Sequence, residues 1–437
     1  MESEWFHAMV TDPPYNLTGD NAAYKFKYTG SGNYSPGLPS RRKGFMGKDW
    51  DGTGVAFDPL TWEGVLRVAK PGAHLLSFGG TRTYHRMTCA IEDAGFEIRD
   101  CIMWVYGNGF PKSLDVSKSI DKMMGAKREK VRHTPRPETS GTMSGSSDTR
   151  PWIEKSRKAG YHEVDGSDPV TDNAKQWYGW GTSLKPSYEP AVLARKPLFG
   201  VVAKCVMENG TGAMNIDGCR VGMEGGTRAG SESDPNHLNN VYGAGMGGNP
   251  TDPNFKAGRW PANLIHDGSN EVVNLFPQSK SSSANMPLPK APGDLVGSHH
   301  GNRDKSTVRG HDDNGSAARF FYTVKANDDD RPHGKGKHVT THPTVKPLDL
   351  MQYLVRLVCV KGGTVLDPFM GSGSTGCAAI LEGMRFVGIE QSQEYADIAV
   401  GRLKLALTER KAEDTLVLPA APSRRSDAAP TPRRLRG

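Results

Sequence analysis

Four residues near the start of the chain, Asp12-Pro13-Pro14-Tyr15, have the types and order needed to handle an amino group on a flat ring. The exocyclic amine of adenine or cytosine is a poor nucleophile because its lone pair is conjugated into the ring. A carboxylate and a backbone carbonyl accepting its two hydrogens would draw the nitrogen toward tetrahedral geometry and free that lone pair. Asp12 and the Pro13 carbonyl suit this task, since proline fixes φ and stiffens the carbonyl's direction. Tyr15 offers a face on which an extruded base can stack, a contact worth ~1–3 kcal/mol. A plain strand-to-turn junction is the ordinary alternative for these four residues.

At the far end of the chain, Asp367-Pro368-Phe369-Met370-Gly371-Ser372-Gly373-Ser374-Thr375-Gly376 spaces its glycines as G-x-G-x-x-G. Between a strand and a helix, this spacing lets backbone approach a ligand closely. Glu390 ends the next strand, where its carboxylate can accept hydrogen bonds from both ribose hydroxyls of an adenosine-containing cofactor. The loop alone fits methyl transfer and hydride transfer equally well. The Asp-Pro-Phe step before the first glycine weakens the dinucleotide reading, and Asp12 to Tyr15 turns the balance toward methyl transfer onto a nucleobase.

These residues need elements to hold them. His7 to Thr11 reads as a short strand stopped by two prolines. Asp58 to Val68 has helical apolar spacing, with Lys70-Pro71-Gly72 as its stop. His74 to Phe78 reads as a buried strand, Thr83 to Ala94 as a helix and Phe96 to Val105 as a strand, which repeats a β-α unit. Lys112 to Lys130 looks helical and charged, and Thr134 to Ser147 looks like a mobile loop. Tyr188 to Arg195 contains a strand at Ala191 to Ala194. Gly210 to His311 is rich in Gly, Asn and Ser and suits a loop-rich recognition region. Leu348 to Val360 is predicted as an amphipathic helix, Thr364 to Asp367 as a strand and Ser374 to Met384 as a helix. Phe386 to Glu390 is predicted as a strand and Gln393 to Leu407 as a helix.

Composition sets outer bounds. The 437 residues allow a sizeable core and more than one unit. Lys and Arg number 55 against 48 Asp and Glu, a net charge of +7 that permits a nucleic-acid partner and equally a basic enzyme of another kind. The six cysteines form no CxxC pair, which speaks against a zinc ribbon or a disulfide framework and for reduced thiols in a cytoplasm. No metal site is expected. No apolar run approaches the roughly 18 residues of a membrane span.

The chain resembles the amino-group DNA methyltransferases of the β class, in which the catalytic motif precedes the cofactor motif. Thr11 to Tyr15 and Asp367 to Gly376 carry the likeness. Trp104 to Ser113 (WVYGNGFPKS), Tyr188 to Pro197 (YEPAVLARKP) and His342 to Pro347 (HPTVKP) support it. It takes in roughly the outer halves of the chain. The resemblance implies an α/β, Rossmann-like fold dependent on S-adenosylmethionine, with a mostly parallel sheet and a long central insertion for target recognition. It implies that Asp12, Pro13, Pro14 and Tyr15 contact the target base. It also implies that Asp367, Pro368, Phe369, Gly371 and Gly373 line the cofactor, with Glu390 on its ribose. Thr344 and Lys346 are then expected at the methionine end, where the lysine can pair with the carboxylate. A solvated surface lysine is the alternative for Lys346.

The implied partner is double-stranded DNA, with the target nucleotide flipped out of the duplex. No cysteine nucleophile is needed, so Cys359 and Cys377 are expected to pack as core groups. Asp rather than Ser at position 12 favours N6 of adenine, and N4 of cytosine stays open. Hydride transfer and catalytically silent DNA binding are the rival classes. A homodimer and a partner restriction nuclease are left open. The family ordinarily carries residues before the catalytic strand that help bind the cofactor's adenine, whereas eleven residues precede Asp12 here. The adenine pocket is therefore expected to be built differently, or the start to lie upstream.

The expected division is a catalytic half at 1–113, an insertion at 114–187 and a return strand at 188–199. A recognition region at 200–318, a cofactor half at 319–410 and a basic tail at 411–437 complete it. Arg220, Arg228, Arg259 and Trp260 are candidates for DNA contact, although scattered arginines are more often solvated. The arginines beyond Pro419 suit a disordered tail with a weak electrostatic attraction to DNA.

Overall fold

The computed structural model describes residues 4–16, 27–28, 34–35, 53–107, 109, 113–133, 161–222, 259–280, 314–324 and 345–416. The sheet strands are β1 (Phe6–Thr11), β2 (Ala69–Phe78), β3 (Glu97–Val105), β4 (Tyr188–Arg195), β5 (Leu264–His266), β6 (Tyr322–Thr323), β7 (Thr364–Asp367) and β8 (Arg385–Gly388). Among the described residues, the α-helices of five residues or more are α1 (Pro59–Val68), α2 (Tyr84–Asp93), α3 (Val116–Met123), α4 (Asp172–Gln176), α5 (Val202–Asn209), α6 (Leu348–Val358), α7 (Ser374–Leu381) and α8 (Gln393–Leu416).

The eight strands form one sheet in the order β6-β5-β3-β4-β2-β1-β7-β8. Neighbours are parallel except at β4, which runs antiparallel to both β2 and β3. β1 lies near the centre because its residues are apolar toward both faces. Ala8 and Val10 enter a core with α6 and α7, while Phe6 and Met9 enter a second core with α1 and α2. A strand covered on both faces reads as a continuous apolar run, the pattern of buried parallel sheets. This arrangement is the mostly parallel α/β fold expected from the sequence.

β1 pairs with β7 through Ala8 opposite Val365 and Met9 opposite Leu366, so the two ends of the chain meet in one sheet. His7 strengthens the junction, since its Nδ1 accepts the Thr364 N–H at 3.0 Å. Asp58 starts α1 by accepting the Leu60 N–H at 3.0 Å, with Pro59 at the first helical position.

Several expectations change. The strand expected from His74 begins at Ala69, so Lys70-Pro71-Gly72, which does follow the end of α1 at Val68, lies inside β2. A register shift opposite Phe6 to Ala8 accommodates these residues as a bulge, where a proline without N–H is tolerated. The helix expected over Lys112 to Lys130 shortens to α3, capped by Asp115 at the Lys118 N–H and closed at Gly125. Beyond it, Arg128 turns inward to pair with buried Asp121 at 2.7 Å, which also accepts the Val170 and Thr171 N–H groups. α6 is buried on most of its circumference, held between the sheet, α7 and the turn at 217–219. Its polar side chains Gln352 and Arg356 reach Glu382 at 3.2 and 2.8 Å. Within the expected recognition region, Leu264–His266 instead extends the main sheet beside β3. Residues 134–147 and the arginines beyond Pro419 lie outside the described residues.

Candidate active site

The catalytic and glycine motifs follow directly from adjacent parallel strands, so both leave the sheet at the same edge. Thr11, the last residue of β1, donates its hydroxyl to Asp367 Oδ1 at 2.6 Å. Asp367 Oδ1 also accepts the Phe369 N–H at 3.0 Å, which turns the chain into the glycine loop. Burial pushes the Asp367 carboxyl up to about 6, against hydrogen bonds from Thr11, Thr375 and Phe369 that favour its charged form.

The loop is held from both sides. Gly371 at φ 51 donates its N–H to Glu390 Oε2 at 2.8 Å, and the Ser392 N–H reaches Glu390 Oε1 at the same distance. Two backbone donors thus fix the carboxylate just past the end of β8. Gly373, at φ 81, caps α7, and a Cβ there would lie 3.0 Å from Ala399 Cβ of α8. Its place is therefore explained by the turn and by helix packing. Arg402 on α8, only 5% exposed, donates to Ser372 O at 2.7 Å, Ser372 Oγ at 3.0 Å and Ser374 Oγ at 3.1 Å. Nothing in the glycine pattern pointed to this arginine; its one signal is a charge on an otherwise apolar helix face.

A cavity of about 350 Å³ opens between the motifs. Asp12, Pro14 and Lys346 line one part of it, and Asp367, Pro368, Phe369, Gly371 and Glu390 another. Val55 and Ile389 add apolar wall. Phe369 is backed by Trp62 of α1, with ring centroids 6.3 Å apart. Thr53 and Val55 come from a segment that sequence reasoning did not connect with the site. Pro13 is buried, Tyr15 sits behind the wall, and Thr344 lies outside the described residues.

Lys346 is neither a surface lysine nor turned only to the cofactor side. It is 8% exposed and places its ammonium 2.7 Å from Asp12 Oδ2 and 3.1 Å from Glu189 Oε2. The Tyr15 hydroxyl bridges the same carboxylates, 2.7 Å from Asp12 Oδ1 and 3.0 Å from Glu189 Oε2. Burial alone would lower the Lys346 ammonium's pKa, yet Asp12 and Glu189 together hold it above the ordinary lysine value. Burial and the same two acids raise Tyr15, so its phenol stays protonated. The Tyr15 ring, expected as a stacking face, lies 5.3 Å from the Lys346 nitrogen, and its carbonyl accepts Thr83 Oγ1 at 2.8 Å. Glu189 was visible only as part of YEPAVLARKP, with no role attached. It enters from β4, whose reversed direction brings its first residues to this edge of the sheet.

Cys359, capping the end of α6, and Cys377, within α7, are buried in the core, and burial raises their thiols to about 12 and 11. Neither is a nucleophile at neutral pH. Of the proposed DNA contacts, Arg220 is paired with Asp217 at 2.9 Å and lies over Trp260, while Arg259 lies over Phe320. Arg228 falls outside the described residues.

A family model described as DNA methylase matches residues 6–401. The type II methyltransferase M2.DpnII of Streptococcus pneumoniae is 44% identical over 63 residues, 14% of this chain and 24% of that protein. The DNA adenine methyltransferase YhdJ of Escherichia coli K12 is 43% identical over 65 residues, 15% of this chain and 22% of that protein. The matched stretch thus spans about a quarter of the length of these curated relatives. Among solved structures, the M1.HpyAVI–SAM complex covers 92% of this chain and 89% of its own, at 15% identity and a TM-score of 0.34.

Proposed function

The chain belongs to the DNA methylase family, and on that premise we propose that it transfers a methyl group from S-adenosylmethionine to N6 of an adenine extruded from double-stranded DNA. The observation that carries this reading is the single cavity shared by Asp12 and the glycine loop. A methyl donor and an amine acceptor must meet within a few ångströms, and only a common chamber permits that.

The residues present fit the cofactor. Gly371 allows close approach of backbone, the amide-held Glu390 has lone pairs left for ribose hydroxyls, and Val55, Phe369 and Ile389 offer apolar wall to a flat base. Asp367, in its charged form, suits the cofactor's positive end. S-adenosylmethionine, when bound, supplies an electrophilic methyl group on a sulfonium centre. The chain's own residues do the rest. Asp12 and the Pro13 carbonyl accept hydrogen bonds from the target amine and localise its lone pair. The surrounding wall limits water. The insertion at 114–187 and the part of 200–318 outside the sheet strand Leu264–His266 are the stretches assigned to meet the duplex in this reading. Hydride transfer, which the glycine loop alone allowed, gives way to the family assignment.

Asp at position 12 supports adenine over cytosine as acceptor. The test is to incubate purified protein with labelled S-adenosylmethionine and DNA, digest the product and identify the modified base by mass spectrometry. N6-methyladenine is the expected product. N4-methylcytosine would replace the acceptor assignment, and absence of any labelled base would overturn the function.

A further inference from the structure

The proposed chemistry leaves a charge unexplained. A nitrogen that takes a methyl group becomes positive as its bond to the methyl carbon forms and the carbon–sulfur bond breaks, with the electron pair remaining on sulfur. It then releases one proton, to Asp12 or to water. Asp12 assists by being negative, yet Lys346 sits 2.7 Å from it with a full positive charge. Taken alone, this pair is neutral and would oppose the charge growing on nitrogen.

Glu189 changes the sum. It lies 3.1 Å from the same ammonium and shares the Tyr15 hydroxyl with Asp12. Two carboxylates against one ammonium leave one negative charge in a mostly buried cluster, where charges are poorly screened. We propose that Glu189 is a positioning residue that neutralises Lys346, so that Asp12 keeps its negative charge toward the target amine. Lys346 in turn holds the two acids and Tyr15 in one geometry. This assignment rests on the methyl-transfer reading and adds to it a residue that touches no substrate.

Glu189→Gln keeps shape and hydrogen-bonding capacity while removing charge. The experiment compares wild type, E189Q, K346M and E189Q/K346M. It reads single-turnover methyl transfer, S-adenosylmethionine affinity by calorimetry and melting temperature. Extrusion of 2-aminopurine from target DNA is followed by fluorescence without cofactor. E189Q is expected to slow transfer about 100-fold, the scale of losing an electrostatic contact aimed at the transition state. Its cofactor affinity and base extrusion are expected to stay at the wild-type level.

The double variant should transfer faster than E189Q, because the negative charge of Asp12 is no longer offset when the lysine is also removed. It should also melt above K346M, in which two neighbouring carboxylates face each other without a cation. Wild-type speed in E189Q, or a double variant no faster than E189Q, overturns the charge balance. Absence of transfer by wild type overturns the reading of the site instead. In that case strictly additive melting temperatures across the four proteins overturn the coupled cluster as well.

Discussion

The Thr11 hydroxyl donates a 2.6 Å hydrogen bond to Asp367 Oδ1 across 356 residues of sequence, inside the sheet. It joins the residue before the catalytic motif to the first residue of the glycine motif, so the two motifs are set as one unit. Thr11→Val removes the donor and keeps the shape. The buried carboxylate then loses a partner, a loss of about 1–3 kcal/mol. A lower melting temperature and weaker S-adenosylmethionine binding are expected together. Unchanged values for both would show that the β1–β7 pairing alone sets the motifs.

How much of this could be read beforehand depends on what each pattern encodes. β1 and β7 were legible as apolar runs cut short by proline or glycine. Their adjacency was implied by the need for both motifs to serve one reaction. The reversal of β4 was not legible, because hydropathy along Tyr188 to Arg195 has no direction, and with it went the position of Glu189. Lys346 was tied by its motif to the cofactor, whereas the fold buries it against Asp12 and Glu189. Partner choice for a long side chain is decided by which strand ends converge. Lys70-Pro71-Gly72 marked the end of α1 and hid the start of β2, since a bulge opposite His7 lets a turn-like triplet remain in a strand.

The raised carboxyl of Asp367 gives the protein a pH signature. Its value moves from 3.8 in the unfolded chain to about 6 in the fold, chiefly through burial. Over that window the native state binds more protons than the unfolded state, so this group's contribution to stability is full below 3.8 and is lost as pH rises through 6. Asp367→Asn abolishes the titration. Melting temperatures measured from pH 3.5 to 7.5 are expected to show the variant gaining on wild type as pH rises. Cofactor affinity has the opposite slope, because a cationic ligand prefers the ionised carboxylate. Wild-type affinity should fall as pH drops through about 6, and the Asn variant should bind weakly throughout. Parallel pH profiles for the two proteins would remove Asp367 from the cofactor site.

The third glycine of the loop serves the fold. A Cβ on Gly376 would lie 2.5 Å from Leu403 Cδ2 and 2.6 Å from the Phe386 ring, both side chains that cover α7. Gly376→Ala therefore overpacks the joint between α7, α8 and β8, at a cost of about 1–3 kcal/mol. The expected result is a lowered melting temperature without ligand, with cofactor affinity intact at temperatures where the variant is folded. A selective loss of affinity at full stability would place Gly376 at the ligand.

Exposed aromatic side chains at Trp177 and Trp180 give a test of where the proposed DNA partner would lie. Trp177 and Trp180 follow α4, with ring centroids 5.1 Å apart in an edge-to-face contact, and are 41% and 60% exposed. Their segment is anchored to the rest of the insertion, since the Val116 N–H donates to the Trp180 carbonyl at 3.1 Å. It is tied to the site by the Arg82 guanidinium, which donates to Ser183 Oγ at 3.1 Å, while neighbouring Thr83 holds the Tyr15 carbonyl. Exposed Lys185 adds positive charge further along the same segment. Indole faces on such an edge suit stacking on unpaired bases, at about 1–3 kcal/mol per base. Trp177→Ala combined with Trp180→Ala is expected to weaken DNA binding about tenfold or more and to reduce 2-aminopurine extrusion. Melting temperature and cofactor affinity should hold, because neither ring is part of the core or the cavity. DNA affinity equal to wild type would remove Trp177 and Trp180 from the proposed DNA contact.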